Sequence, residues 1–152
     1  MKARLNPYQA APETMKAAAA LEAHIKASGL EPSLIELIKT RASQINGCAF
    51  CINMHTVDAM AGGESAERLF LLDAWHESPI YTARERAALA WTDALTRVAD
   101  THAPDNVYEE VRPHFTEEEL VNLTALIGMI NLWNRVAIGF RMVPQVKTKL
   151  AA

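Results

Sequence analysis

Cys48 and Cys51, the two cysteines of the chain, stand three residues apart, and His55 follows four residues after the second. A thiol attacks or binds metal as thiolate, so the question is what lowers each cysteine pKa. Two features do, and they favour different sulfurs. If a helix starts at Cys48, its dipole acts most on that first-turn residue. Cys51 instead lies one turn before His55, within reach of an imidazole that can take its proton. Glu36, twelve residues before Cys48, can orient or charge that imidazole if the chain doubles back between them. The residues thus support a relay of Glu36, His55 and Cys51, with Cys48 placed to close a disulfide, and leave open which sulfur attacks first.

Other chemistries compete for the same residues. Cys48, Cys51 and His55 could supply three zinc ligands, with His76, His102 or His114 as a fourth. Structural zinc sites usually bring a second ligand pair of similar spacing, and none is visible, so no resident metal is expected. Haem attachment needs a histidine directly after the second cysteine, where Ile52 stands. No G-x-G-x-x-G, phosphate-binding loop or G-x-S-x-G occurs, and no cofactor is expected. A third reading keeps the cysteines as a redox sensor that forms a disulfide without fast turnover. The plainest alternative is a pair of structural cysteines at helical spacing.

The elements that must position these residues read as helices. Half of the 152 residues are apolar, enough to bury one core without metal or disulfide support. A formal charge of −3 and a sequence pI near 5.9 offer no basic stripe for nucleic acid or anionic membrane. The N-terminus lacks an apolar signal core, and no run reaches the roughly 18 uninterrupted apolar residues of a spanning helix. A cytoplasmic protein of one domain, residues 1–152 with its core at 12–144, is the expectation.

In order, residues 1–10 carry no period and read as an extended arm. A helix follows from Pro12 to Ser28, before Gly29. Pro32 opens the next, with Leu34, Leu37, Ile38, Ala42 and Ile45 on one face, and Asn46-Gly47 ends it. Glu36, Thr40 and Ser43 form a polar strip beside that face, so Glu36 is not an obvious core position. The reactive helix spans Cys48–Ala61. At 100° per residue, Cys48, Cys51, His55 and Asp58 lie within about 80° of one another, nearly opposite Phe50, Met54, Val57 and Ala61. The expectation is that the second stripe packs and the first is presented.

Next come a short apolar helix at Leu69–Trp75, a helix from the Thr82/Glu85 capping box to Val98, a polar connection over Ala99–Asn106 and a short helix at Val107–His114. A second capping box, Thr116/Glu119, opens the last helix, Glu117–Phe140, apolar around nearly its whole circumference, with Asn134 and Arg135 read as structural. The tail, QVKTKLAA, reads as frayed. The class is an all-α bundle of six to seven helices. The last helix and Leu69–Trp75 carry more apolar surface than one core needs, which predicts a homo-oligomer.

The pattern Glu36-x11-Cys48-x2-Cys51-x3-His55 with Gly62-Gly63 behind it, together with the run from Ile130 to Ile138, resembles the alkylhydroperoxidase D-like branch of the carboxymuconolactone decarboxylase family. The likeness spans roughly Pro32 to Pro144. It implies an alkylhydroperoxidase D-like helical subunit that forms trimers or hexamers and reduces hydroperoxides through its dithiol. It also implies that Cys51 is peroxidatic, Cys48 resolves it, His55 and Glu36 relay protons, and a dithiol such as a dihydrolipoyl protein recycles the disulfide. Phe50 stands where the prototype has a histidine, and the prototype is a longer chain. The family's decarboxylases lack the cysteine pair, so Cys48 and Cys51 argue against lactone decarboxylation.

Overall fold

The computed structural model describes residues 2–144 and 146, and among these it is all-helical, with no strand. Nine α-helices appear among the described residues, where six to seven were expected. They are α1 (Pro7–Ala10), α2 (Pro12–Lys26), α3 (Pro32–Asn46), α4 (Ala49–Ala61), α5 (Ala66–Leu71), α6 (Ala83–Thr96), α7 (Val98–Thr101), α8 (Asp105–Val111) and α9 (Glu117–Phe140).

The surplus comes from single turns too short to show a period. The arm is not wholly extended: Pro7 opens α1 and the Asn6 side chain caps it by accepting the Tyr8 N–H. Likewise α6 stops at Thr96 rather than Val98, and Val98 begins a separate turn, Val98–Thr101, that takes in the start of the expected polar connection, which shrinks to residues 102–104. The Leu69–Trp75 segment divides into α5 and a 3₁₀ turn at Leu72–Ala74, and α8 is followed by another at Arg112–His114. The tail at 145–152 lies, apart from Val146, outside the described residues.

Both capping boxes form: Thr82 with Glu85 opens α6, and Thr116 with Glu119 opens α9. Each satisfies two backbone donors that a helix start leaves unpaired. The main core joins α3, α6 and α9 through Leu34, Ile38, Ala88, Leu123, Leu126 and Ile127. Helix α9 is long and apolar enough to cross a membrane by length and composition. Here it is a core helix instead, buried on one side, with Asn131 and Asn134 hydrogen-bonded within the core. Its circumference is not covered throughout, since Val121, Leu132 and Ile138 remain exposed.

Two buried cations lock α3, and neither belongs to an expected ion pair. Arg41 spreads its guanidinium over both Asp93 oxygens, at 2.7 and 2.9 Å, and reaches Asp73 at 2.6 Å. Lys39 donates to Glu22, which also accepts from the Trp133 indole at 3.0 Å. These bonds tie α3 to α6, α2 and α9, the frame on which the cysteine helix sits.

Candidate active site

Helices α3 and α4 form a hairpin at Gly47. Gly47 takes φ 67°, a left-handed conformation that costs glycine nothing, and its N–H returns to the Gln44 carbonyl. The end of α3 is clamped from below: the Asn46 side-chain amide donates to Asn134 at 2.8 Å and to Asn131 at 3.0 Å, and Asn134 donates to Ser43 at 3.0 Å. This polar clasp fixes where α4 begins.

Cys48 is the N-cap of α4, one residue before its first helical position, and its sulfur accepts the Cys51 N–H at 3.3 Å. A disulfide joins Cys48 to Cys51 across a Cα separation of 5.3 Å. Both are almost wholly buried, 1% and 2% exposed, against Ala137 of α9 with Phe50 and Met142 alongside.

One turn on, His55 is 5% exposed, and its Nδ1 lies 2.8 Å from Oε2 of Glu36. The hairpin therefore brings together Glu36 and His55, 19 residues apart in sequence. Which nitrogen carries the proton depends on the tautomer; a carboxylate at Nδ1 favours the proton there and leaves Nε2 as the base. Burial alone would raise the Glu36 pKa. The hydrogen bond and charge of His55, with Lys39 and Lys26 behind them, outweigh burial and hold the carboxyl below the ordinary glutamate value. Lys39 is itself pushed down by burial, against the pull of Glu22, so an alternating row of Glu22, Lys39, Glu36 and His55 runs from α2 to α4. Lys39 leaves no signal in the sequence, because a lysine buried by pairing with Glu22 of another helix breaks no apolar period.

The face of α4 that packs is largely the reverse of the one expected, although Asp58 is exposed and Phe50 packs as expected. Cys51, His55 and Ala59 are buried against the bundle, while Met54, Val57 and Ala61 are exposed. Cys51 packs against Ala137 of α9, Ala59 joins the cluster of Leu37 and Leu72, and the Glu36–His55 hydrogen bond satisfies the buried imidazole. The polar strip of α3 is largely interior: Thr40 and Ser43 are fully buried, and Glu36 is half-buried with 15% of its side chain exposed.

The alternative zinc set of Cys48, Cys51 and His55 with a fourth histidine does not assemble among the described residues. The two sulfurs are bonded to each other, and among the described residues the group whose ligand atoms could share an ion is Glu36, His55 and Asp58, all within 4.8 Å. His76 stacks on Trp75 instead.

The arrangement can do dithiol–disulfide chemistry beside a buried carboxylate–imidazole pair. Comparison with known proteins identifies the family and the fold. The model of the carboxymuconolactone decarboxylase family matches residues 12–94. The uncharacterized protein YdfG of Bacillus subtilis is 44% identical over 138 residues, covering 91% of this chain and 94% of that one. A crystal structure of ATU0492 from Agrobacterium tumefaciens, a protein of unknown function suggested to be an antioxidant defence protein AhpD, superposes with a TM-score of 0.93 at 50% identity. The match covers 96% of this chain and all (100%) of the other. An uncharacterized peroxidase-related protein from Ralstonia eutropha JMP134, described as an alkylhydroperoxidase AhpD core, shares the fold at TM-score 0.80 and 20% identity, over 91% of this chain and 74% of its own.

Proposed function

This chain belongs to the carboxymuconolactone decarboxylase family, in its alkylhydroperoxidase D-like branch, and on that premise we propose that it is a thiol-dependent peroxidase. The observation that carries the reading is the buried Glu36–His55 pair, 2.8 Å between its atoms, one helical turn from a cysteine already bonded to its neighbour. The suggested antioxidant role of the Agrobacterium protein supports it.

In the reduced enzyme His55 takes the Cys51 proton, and Glu36 stabilises the imidazolium that results. The Cys51 thiolate attacks one oxygen of the hydroperoxide; the O–O bond breaks, the alkoxide leaves with the proton from His55 as an alcohol, and Cys51 becomes a sulfenic acid. Cys48 then attacks that sulfur, water leaves, and the disulfide seen here forms. Two electrons from a dithiol reductant, of which a dihydrolipoyl protein is one kind, restore both thiols. Cys48 suits the resolving role because the Cys51 N–H already points at its sulfur.

The same reading places the protein in the cytoplasm, where dithiols persist, and makes it a trimer or hexamer. Exposed apolar side chains support assembly, Phe70 above all at 80% exposure, with Val121, Val57 and Met60. The test is anaerobic thiol counting with metal analysis. One equivalent of organic hydroperoxide should consume two thiols per chain and yield one alcohol. Stoichiometric zinc with no loss of thiols would refute the proposal.

A further inference from the structure

Thr40 of α3 is wholly buried, 0% exposed, and among the described residues its hydroxyl oxygen has no hydrogen-bond partner. A threonine inside a helix has a ready solution, which is to return its hydroxyl to the carbonyl four residues back. Thr56, Thr92 and Thr124 do so, onto Ile52, Ala88 and Leu120 at 2.7, 2.7 and 2.8 Å. Thr40 does not. A buried hydroxyl without a partner costs free energy that a valine of the same shape avoids, so its presence here calls for a physical reason.

The packing of α3 on α4 supplies one. Thr40 stands one turn after Glu36 on α3, and Cys51 one turn before His55 on α4. The two helices run antiparallel from Gly47, and Glu36 meets His55 at 2.8 Å, so one turn toward Gly47 along both helices brings Thr40 level with Cys51. Around α3, Thr40 lies between Glu36, which touches His55, and Leu37, which shares a core cluster with Ala59 of α4. At 100° per residue it is about 40° from the first and about 60° from the second, on the side of α3 turned to α4. The residue of the packed face of α4 at that level is Cys51, itself 2% exposed. In the disulfide its sulfur is neutral and only a weak acceptor.

From this we infer that Thr40 is a further catalytic residue of the dithiol cycle, its hydroxyl donating a hydrogen bond to the Cys51 thiolate of the reduced protein. The inference rests on the cycle proposed above and adds a donor that acts on the sulfur directly, where Glu36 acts through His55. The hydroxyl gains an acceptor of full charge, and the bond is of the stronger, charge-assisted kind. Its effect belongs to one redox state. When a dithiol reduces the protein, the reductant loses two electrons and closes to its own disulfide, and the Cys48–Cys51 bond breaks. Cys48 takes one of the reductant's protons and His55 the other, and Cys51 stays thiolate beside the Thr40 hydroxyl. A hydroxyl unpartnered in the oxidised form and bonded in the reduced form favours reduction on both counts.

The test is the anaerobic equilibrium of the full-length protein with reduced and oxidised dithiothreitol at pH 7, quenched with acid and counted for free Cys48 and Cys51 thiols. Thr40→Val keeps the shape and removes the donor. It should lower the equilibrium constant for reduction at least about tenfold, the scale of one hydrogen bond to a charged group, or about 30 mV for a two-electron couple. Thr40→Ala, which adds no bulk, should show the same loss, so a valine variant that fails to fold leaves the question decidable. Thr40→Ser keeps the donor and should stay much nearer to wild type than to valine. An unchanged constant in Thr40→Val and Thr40→Ala would overturn the inference, since that is the result of a hydroxyl satisfied alike in both redox states by solvent or by a purely structural contact. A loss in Thr40→Ser as large as in valine would overturn it too, because packing and not the donor would then set the potential. No peroxide enters the measurement. A shifted constant in a protein whose thiols survive hydroperoxide ends the peroxidase reading and keeps Thr40 in its role; an unshifted constant in a protein that reduces hydroperoxide does the reverse.

Discussion

Replacing Glu36 by glutamine removes one charge and keeps the shape of the side chain. The carboxylate sits 2.8 Å from His55 Nδ1 with 15% of its side chain exposed, so little water is available to replace it. A hydrogen bond to a charged group contributes about 1.5–3 kcal/mol, and a neutral one about 1. The glutamine amide keeps the smaller share, so the substitution costs about 1–2 kcal/mol in stabilising the imidazolium that accompanies the Cys51 thiolate. At 1.4 kcal/mol per factor of ten, the thiolate population at neutral pH should fall about 5- to 30-fold. The assay is the rate of iodoacetamide alkylation of Cys51 in a Cys48→Ser background, followed from pH 5 to 10 with and without Glu36→Gln. The alkylation profile should move to higher pH by about one unit. Rates equal within a factor of two across the range, in a variant with unchanged circular dichroism, would refute the relay from Glu36 through His55.

The other predictions concern the same pair and the frame behind it. His55→Ala should move Cys51 toward the free thiol value of about 8.5 and slow its oxidation by hydroperoxide about 100-fold, measured in single-turnover stopped flow. Because the Glu36 pKa is held below its unfolded value, its pairing stabilises the fold above the ordinary glutamate value of about 4.3 and is lost as pH falls through the folded value. The stability gap between wild type and Glu36→Gln in urea melts should therefore be constant at pH 5–6 and shrink on acidification toward pH 3; a gap that widens on acidification contradicts the assignment. Arg41→Met leaves Asp93 buried without its bidentate partner and should cost about 3 kcal/mol by denaturant unfolding, with m-value unchanged. Sedimentation at micromolar concentration should show an oligomer that Phe70→Glu weakens; a wild-type monomer would refute the assembly.

What the sequence revealed and what it hid divide along physical lines. The meeting of Glu36 with His55 follows from Asn46-Gly47, because a glycine stop between two helical patterns forces a hairpin and the hairpin fixes the register. The Thr82/Glu85 and Thr116/Glu119 boxes were equally legible, since each is a local hydrogen-bond pattern complete within four residues. The inward face of α4 was not. Its Met54 and Val57 face out, and the side that packs is built of Cys51, His55 and Ala59, where the burial of His55 depends on a hydrogen bond to Glu36 of another helix that no local pattern encodes. Lys39 and Arg41 were hidden for a related reason: a buried cation is tolerated only because Glu22 and Asp93 arrive from other helices, and no local pattern encodes that. Single turns such as Pro7–Ala10 complete too little of a period to stand out, even with Asn6 and Pro7 marking the start.

The central claim is that Cys51, activated by His55, is the sulfur that meets the peroxide. The most direct measurement is to trap sulfenic acid with dimedone in Cys48→Ser and in Cys51→Ser after one equivalent of organic hydroperoxide, and to time its appearance. The account predicts rapid adduct formation on Cys51 in Cys48→Ser, with catalytic turnover abolished because no second thiol lies beside it, and formation on Cys48 at least about 100-fold slower in Cys51→Ser. If Cys48 is trapped at the wild-type rate when Cys51 is absent, the helix N-terminus rather than the histidine selects the nucleophile, and the account is wrong.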